Sequence, residues 1–193
     1  LLKLLLGRFL PSEGTIATRG RVLGVTQLGV GFNPVLSGRE NVYLNAALLG
    51  MSRKETEEAL HDIVEFAELG EFIDAPVQNY SSGMKARLGY AVMSHQRPDV
   101  LLLDEILAVG DYAFRRKCMD HIQGYLGEGG SLMFVSHDLY SIQFLCSRCL
   151  VLHHGELVFD GPVHEATNFY YDLTSDEAQP ATRKPSTRRD LDV

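Results

Sequence analysis

The stretch Val100-Leu101-Leu102-Leu103-Asp104-Glu105 decides the fold of this 193-residue sequence. Consecutive apolar residues with an acidic end are typical of a strand buried on both faces of a parallel sheet. Ligands of open α/β sheets bind beyond the carboxyl ends of the strands, where Asp104 and Glu105 would lie. Because side chains alternate along a strand, one carboxylate could hold hydrated Mg²⁺ while the other orients or deprotonates a water. A strand that ends in a solvated acidic turn is the alternative, and the run alone does not decide between them.

Helical and extended patterns alternate around this strand, which predicts an α/β domain. Ser52 followed by Glu55 is a capping box that starts a helix with one apolar face. The expected elements, in chain order, are an opening helix ended by Gly7; extended pieces at residues 15–18 and 21–26; helices over 39–49 and from 52; a helix after the polar segment 78–82; the strand at 100–105; a helix over 112–126; a strand at 131–136; a helix from 138; strands near 150 and 157; and a short helix near 165–171.

The same patterns give the expected domain organisation. Residues 1–173 form one domain, in which residues 39–97 are a helical subdomain. From Thr174 onward the sequence is rich in Ser, Thr, Pro, Arg and Asp and lacks apolar periodicity. Such composition cannot bury a core, so residues 174–193 are predicted to be a disordered tail or linker.

Composition narrows the class of protein. The net charge of −7 argues against nucleic acid as a partner. Three cysteines, Cys118, Cys146 and Cys149, are too few for a disulfide framework, which favours a reducing compartment such as the cytosol. The C-x-x-C pair lacks a second Cys or His pair, so both cysteines are interpreted as structural. No apolar stretch approaches the ~20 residues of a membrane-spanning helix, so membrane association would require a partner.

Two further segments carry residues suited to binding phosphate. His137 directly follows the strand SLMFVS (131–136), so its imidazole would reach the same sheet edge as the two carboxylates. Ser81, Ser82 and Gly83 open a helix, where exposed N–H groups and the helix dipole attract anions. A helix-entry histidine and ordinary serine capping are the structural alternatives.

These segments together resemble one family. Residues 80–111, YSSGMKARLGYAVMSHQRPDVLLLDEILAVGD, resemble the signature helix, Walker B strand and D-loop of ATP-binding cassette (ABC) proteins, and FVSHD (134–138) resembles their switch-histidine segment. The resemblance covers residues 1–172. It implies a P-loop NTPase-like ABC ATPase core with a helical subdomain, two copies of which sandwich ATP.

The resemblance also implies roles for individual residues, with ATP and Mg²⁺ as cofactors. Ser81 and Gly83 would contact the γ-phosphate of a nucleotide held by a second ATP-binding subunit, in a homodimer. At the sheet edge, Asp104 would act on Mg²⁺, Glu105 would be the general base of ATP hydrolysis and His137 would sense the γ-phosphate. Asp111 would be the D-loop acid.

A narrower resemblance concerns cargo. QLGVGFNPVLSGRENVYLNAALLGMSRKE (27–55) is similar to a stretch of the subunits that export polysaccharides such as O-antigen and teichoic acid, in which the signature is commonly YSSGM. Gln27 matches the Q-loop position, which links nucleotide to permease, although a plain strand-end glutamine is the alternative. The implied protein is peripheral, works on the cytoplasmic face of the cell membrane and binds a transmembrane permease.

One motif of the family does not occur. The sequence contains no G-x-x-x-x-G-K-[ST] phosphate loop, and LLKLLLG (1–7) resembles the helix that follows that loop. We therefore expect that this sequence is truncated at its N-terminus and lacks the first strand and the phosphate loop of the family. We also expect that the fragment does not hydrolyse ATP alone. The alternative is a degenerate or regulatory cassette, a non-hydrolysing interaction module. A soluble cassette protein acting on ribosomes or DNA usually carries two cassettes or long coiled-coil insertions, and neither is seen.

Overall fold

The computed structural model of the protein describes residues 1–107 and 110–177. The chain divides into two compact units, with the boundary between Leu145 and Cys146. The first unit holds a parallel sheet and most of the helices, and the second holds a hairpin and a helix. Each unit is described by itself below.

A three-stranded parallel sheet forms the centre of the first unit. Its strands, in spatial order, are β1 (Val22–Val25), β2 (Val100–Asp104) and β3 (Ser131–Val135). The predicted central strand is confirmed, because β2 lies between the other two and Leu103 is fully buried. Since all three strands are parallel, their carboxyl ends lie at one edge of the sheet.

Three helices of the first unit come from the middle of the sequence, where a helical subdomain over residues 39–97 is predicted. Both ends of the Ser52–Glu55 capping box are formed: Ser52 N–H donates to the Glu55 carboxylate at 2.7 Å, and Glu55 N–H donates to Ser52 Oγ at 3.2 Å. A second capping box, at Ser37 and Glu40, was not predicted. α1 (Leu2–Leu5) lies at the start of the chain. The helices of the middle part are α2 (Gly38–Leu48), α3 (Arg53–Ala67) and α4 (Ser82–Ser94), with 3-10 turns at Gly70–Asp74 and Val77–Asn79 between α3 and α4.

Apolar side chains at helical spacing join α2, α3 and α4 into one core. Ile63 and Ala67 of α3 are fully buried, as the predicted apolar face requires, and Leu88 of α4 meets them in the same cluster. Two helices complete the first unit, α5 (Tyr112–Gly127) and α6 (Leu139–Leu145). Aromatic packing joins α3, α4 and α5, because the ring of Phe66 in α3 stacks on Tyr90 of α4 and meets Phe114 of α5 edge to face.

The second unit is an antiparallel hairpin followed by a helix. β4 (Arg148–His153) pairs with β5 (Glu156–Pro162) across a turn at His154 and Gly155, which confirms both predicted strands. α7 spans Val163–Glu177. Cys146 and Cys149 are free thiols in this unit, and burial raises the pKa of each.

Two expectations differ from the structure. Residues 15–18 are exposed and form no strand, because β propensity alone does not provide the hydrogen-bonded neighbour that a strand requires. α7 is longer than predicted and includes residues 174–177 of the expected disordered tail. Thr174 Oγ1 donates to the carbonyl of Tyr170 at 2.9 Å, so its hydroxyl is satisfied within the helix. The remainder of the predicted tail, residues 178–193, lies outside the described residues.

Candidate functional site

The carboxyl ends of β2 and β3 bring two predicted site residues into contact. Oε1 of Glu105 lies 2.9 Å from Nδ1 of His137. Both side chains are exposed, Glu105 by 58% and His137 by 77%. An ionised carboxylate only accepts hydrogen bonds, so Nδ1 of His137 is the donor in this contact. The pair can therefore place one carboxylate and one imidazole against the same bound group.

Glu105 reaches this position through an uncommon backbone conformation. β2 ends at Asp104, and Glu105 has a left-handed φ of 54°, a region that residues other than glycine rarely adopt. Its N–H still donates to the carbonyl of Val135 at 2.9 Å. Strand alternation therefore stops one residue before Glu105, and the left-handed backbone sets the direction of its side chain. Backbone strain of this kind is concentrated at functional sites.

Asp104 is the second carboxylate at this edge. It is the last residue of β2, it pairs in register with Val135, and it is half-buried. Carboxylate oxygens are the ligands that Mg²⁺ prefers, and Mg²⁺ usually keeps several waters and binds through one or two protein carboxylates. The donor set at this edge, Asp104 followed directly by Glu105, fits that ion.

A network that the sequence analysis missed supports the segment after β3. The N–H of Asp138 donates to Ser136 Oγ at 3.0 Å. The Asp138 carboxylate forms an ion pair with Arg115 of α5 and accepts a 2.5 Å hydrogen bond from Ser141 Oγ. His137 therefore lies between two tethered residues. The signal in the sequence was an aspartate directly before an apolar helix, the usual position of a helix cap.

Ser81, Ser82 and Gly83 line a separate cavity of about 640 Å³ at the start of α4. Ser81 is the N-cap of α4, and its Oγ accepts the N–H of Met84 at 3.1 Å, so the capping alternative also holds. A Cβ added to Gly83 would meet, within 4 Å, only Ser81 Oγ at 3.8 Å among the described residues. Glycine in a helix costs up to about 1 kcal/mol relative to alanine. Since packing does not require that glycine, it fits the close approach of a phosphate to the N–H groups.

Asp111 lies on the wall of this cavity, beside Gly110. It is the N-cap of α5 and accepts the N–H of Phe114 at 2.9 Å. Nη2 of Arg87 lies 2.5 Å from its other oxygen. The pKa of Asp111 is lowered, chiefly because the N–H of Phe114 donates to the carboxylate and also because Arg87 lies beside it. The structure thus joins Asp111 to the serine and glycine residues, and Arg87 is a cavity residue that the sequence analysis missed.

Gln27 belongs to neither group. It is exposed after β1 and lines a smaller cavity of about 220 Å³ together with Arg8 and Asn45. The two cavities share no lining residue. Asn45 donates from its side chain to the carbonyl of Val30 at 2.9 Å and so holds the loop that follows Gln27 against α2. The predicted site residues therefore fall into three places: the sheet edge, the cavity at α4 and the loop after β1.

This chain is similar to several known proteins. It is 45% identical over 169 residues to the O-antigen export system ATP-binding protein RfbB of Klebsiella pneumoniae, covering 88% of the chain and 69% of the relative. It is 43% identical to the ABC transporter protein AbcA of Aeromonas salmonicida, covering 95% of the chain and 59% of the relative. It is 41% identical to the teichoic acids export ATP-binding protein TagH of Shouchella clausii, covering 84% of the chain and 45% of the relative. The chain thus spans roughly half to two thirds of the length of these relatives.

Two solved structures share the fold. One is an ATP-binding subunit of an ABC transporter, with a TM-score of 0.76 and 17% identity, covering 92% of this chain and 82% of that chain. The other is a dimeric, post-hydrolysis state of an ATP-binding cassette bound to ADP and Pi, with a TM-score of 0.60 and 24% identity, covering 74% of this chain and 63% of that chain. These matches confirm the predicted ABC ATPase fold class.

No helix within residues 1–107 and 110–177 combines the length and the apolar character needed to cross a bilayer.

The sequence profile of the ABC transporter family matches residues 1–108, which include α1 to α4, β1 and β2. Together with the 45% identity to an export ATP-binding protein, this match confirms the resemblance. The chain therefore belongs to the ABC transporter family.

Proposed function

We propose that this chain is part of the ATP-binding and ATP-hydrolysing subunit of an ABC transporter that exports cell-surface polysaccharide of the O-antigen or teichoic acid type. The observation that carries the ATPase proposal is the 2.9 Å contact between Glu105 and His137, directly beyond Asp104 at the carboxyl edge of the sheet. The cargo class rests on the names of the relatives from Klebsiella pneumoniae and Shouchella clausii.

Each residue at the sheet edge has a distinct proposed role. Glu105 is exposed and takes the proton from an attacking water, since a carboxylate at hydrogen-bond reach of water is a general base. His137 orients Glu105 through Nδ1, and its Nε2 donates a hydrogen bond to the terminal phosphate when that nitrogen also carries a proton. Asp104 is the residue that would hold Mg²⁺, and that ion, when bound, neutralises phosphate charge that develops during transfer.

The cavity at α4 is proposed to serve a second nucleotide site. The N–H groups of Ser82 and Gly83 lie at the positive end of the α4 dipole and offer donors to a phosphate. Neither Glu105 nor His137 lines this cavity. The sheet edge and the cavity at α4 would each form half of a nucleotide site. We therefore propose a homodimer in which the sheet edge of one copy and the cavity of the other complete each site.

The proposed place of action is the cytoplasmic face of the cell membrane. There the subunit binds a transmembrane permease, and the exposed Gln27 with the loop after β1 relays nucleotide state to it. This is consistent with Gln27 lying in a cavity separate from the phosphate-binding residues.

The test is ATP turnover by the full-length subunit reconstituted with its permease. Glu105→Gln removes the base but keeps the size of the side chain, and we expect turnover to fall by at least about a hundredfold. Glu128→Gln is the matched control, because Glu128 is an exposed glutamate whose contact is an ion pair with the exposed Arg97. Equal turnover in the two variants would reject the proposal. Export of O-antigen or of teichoic acid by the same vesicles then distinguishes the cargoes.

A non-hydrolysing regulatory cassette is the alternative. The cavity at α4 is the observation that suits it, because this cavity is formed without any residue of the sheet edge. In that case a partner polypeptide supplies the phosphate loop. An in-frame phosphate loop in the coding sequence upstream of Leu1 would exclude the alternative, and a start codon at that position would favour it.

A further inference from the structure

Arg87 of α4 bridges two carboxylates that come from distant parts of the sequence. Its Nη2 lies 2.5 Å from Oδ2 of Asp111, and its Nη1 lies 3.3 Å from Oε2 of Glu68. Only 18% of the Arg87 side chain is exposed, although Asp111 and Glu68 are half exposed or more. Such a bridge needs the planar, forked guanidinium group, which a lysine ammonium cannot replace.

Two further contacts fix the position of this guanidinium group. The Arg87 Cζ lies 4.8 Å from the ring centroid of Phe114, in cation–π geometry. Glu68 caps α3 in a left-handed conformation, and its second oxygen accepts from Lys117 Nζ at 2.7 Å. The Glu68 carboxylate thus contacts two cations, Arg87 of α4 and Lys117 of α5. This contact anchors one side of the Arg87 guanidinium group, and its other side holds Asp111.

Asp111 is one end of the segment that begins at Glu105. Ile106 and Leu107 are buried directly after Glu105. At the other end, Gly110 has a left-handed φ of 71°, and a Cβ added there would lie 3.2 Å from Phe114 Cβ. Both described ends of this segment are therefore held: Ile106 and Leu107 are buried beside Glu105, and Arg87 contacts Asp111 at the other end.

We propose that Arg87 is a positioning residue for the ATPase site: by holding Asp111, it fixes the Gly110–Asp111 end of the segment beside Ser81 and Gly83. This inference rests on the proposed function. Arg87 acts through Asp111, and its guanidinium group links the helix that presents Ser81 to the segment that starts at Glu105. A surface ion pair alone would contribute little. Here the Arg87 side chain is largely shielded, lies over the Phe114 ring and is shared between two carboxylates.

The experiment compares Arg87→Lys with Arg97→Lys in the full-length subunit, reconstituted with its permease. Arg97 is the matched control, because it is an exposed arginine that pairs with the exposed Glu128. For Arg87→Lys we expect kcat to fall about tenfold to a hundredfold, because small displacements of catalytic groups slow the reaction by such factors. KM for ATP should stay near the wild-type value. Hydrogen exchange of the peptide spanning residues 110–115, measured without nucleotide, should become several-fold faster in Arg87→Lys and stay unchanged in Arg97→Lys.

Asp111→Asn is the second variant, which also covers the case in which Arg87→Lys does not fold. Asparagine can still accept the N–H of Phe114 but loses the ion pair with Arg87, so the same local increase in exchange is expected. Combined with Arg87→Lys, it should add little further loss of kcat, because the two residues act as one unit. Wild-type exchange at residues 110–115 in both variants, or additive losses of kcat, would overturn the inference. If Glu105→Gln abolishes turnover but Arg87→Lys leaves it unchanged, the positioning role fails while the proposed function stands.

Discussion

Gly89 of α4 and Gly29 of the loop after β1 are in backbone contact. A Cβ added to Gly89 would lie 2.5 Å from the backbone N of Gly29, closer than nonbonded atoms can approach. The loop that follows Gln27 therefore packs directly on the helix that begins at Ser81. Because the obstructing atom belongs to the backbone, a side chain at residue 89 could be accommodated only if the loop moved.

We predict that Gly89→Ala destabilises the protein by about 1–3 kcal/mol, the usual cost of overpacking a close contact. The measurement is the free energy of unfolding from urea titration followed by circular dichroism. Gly124→Ala is the control, since Gly124 lies in α5 and a Cβ there would meet no described atom within 4 Å. That change should stabilise the protein by up to about 1 kcal/mol, because alanine is the better helix former. Equal effects of the two substitutions would contradict the backbone contact.

Gly83→Ala should change stability and activity in opposite directions. The Cβ enters open space near Ser81 Oγ, so we expect unfolding to become less favourable by up to about 1 kcal/mol. If the N–H groups at the start of α4 receive a phosphate, the same methyl group obstructs that approach and lowers ATP turnover of the reconstituted full-length protein. Urea titration and turnover are measured on the same preparation, with Gly124→Ala as the control that gains stability without losing turnover. Unchanged turnover in Gly83→Ala would argue against a phosphate in this cavity.

The capping box at the start of α2 predicts a dependence of stability on pH. The N–H and hydroxyl of Ser37 both donate to Glu40 Oε2 at 2.8 Å, and these bonds, that of the N–H first, lower the pKa of Glu40. A carboxyl group with a lowered pKa in the folded state stabilises the fold above its unfolded pKa, and that contribution disappears as pH falls through the folded pKa.

We therefore expect the free energy of unfolding to decrease below about pH 4.3, the ordinary pKa of glutamate, and to decrease less steeply in Glu40→Gln, in which the group does not titrate. The measurement is urea titration at several pH values between neutral and strongly acidic. Glu128→Gln serves as the comparison, because Glu128 is exposed and takes part in no capping box in the structure. Identical slopes for wild type and Glu40→Gln would contradict the prediction.

The sequence predicted those features that a short, local pattern determines. Four apolar residues at 100–103 required a buried central strand, and the polar ends of the parallel strands placed Glu105 near His137. The pattern Ser52-x-x-Glu55 predicted a helix start, and the same pattern at Ser37 and Glu40, which was not predicted, forms a second capping box.

Contacts between distant residues could not be predicted in this way. Arg87 and Lys117 meet Glu68 across 19 and 49 residues of sequence, and no spacing rule relates residues so far apart. Glu105 combines a left-handed backbone with a hydrogen bond from its N–H to Val135, and that bond exists only once the β2–β3 register is formed. Residues 15–18 have a strand-like pattern, yet they are exposed and form no strand, because the pattern alone does not supply a partner strand.

The last prediction concerns the 193-residue chain by itself. It carries Glu105, His137 and the cavity at α4, but its sequence lacks the loop whose N–H groups and lysine hold the β- and γ-phosphates. We expect this chain to hydrolyse ATP at or near the background rate, because a general base accelerates only a water held against a bound phosphate. The measurement is phosphate release by the purified chain with ATP and Mg²⁺, with Glu105→Gln as the control. Turnover that is measurable in the wild-type chain and lost in Glu105→Gln would contradict this prediction and would mean that these residues hold nucleotide without that loop.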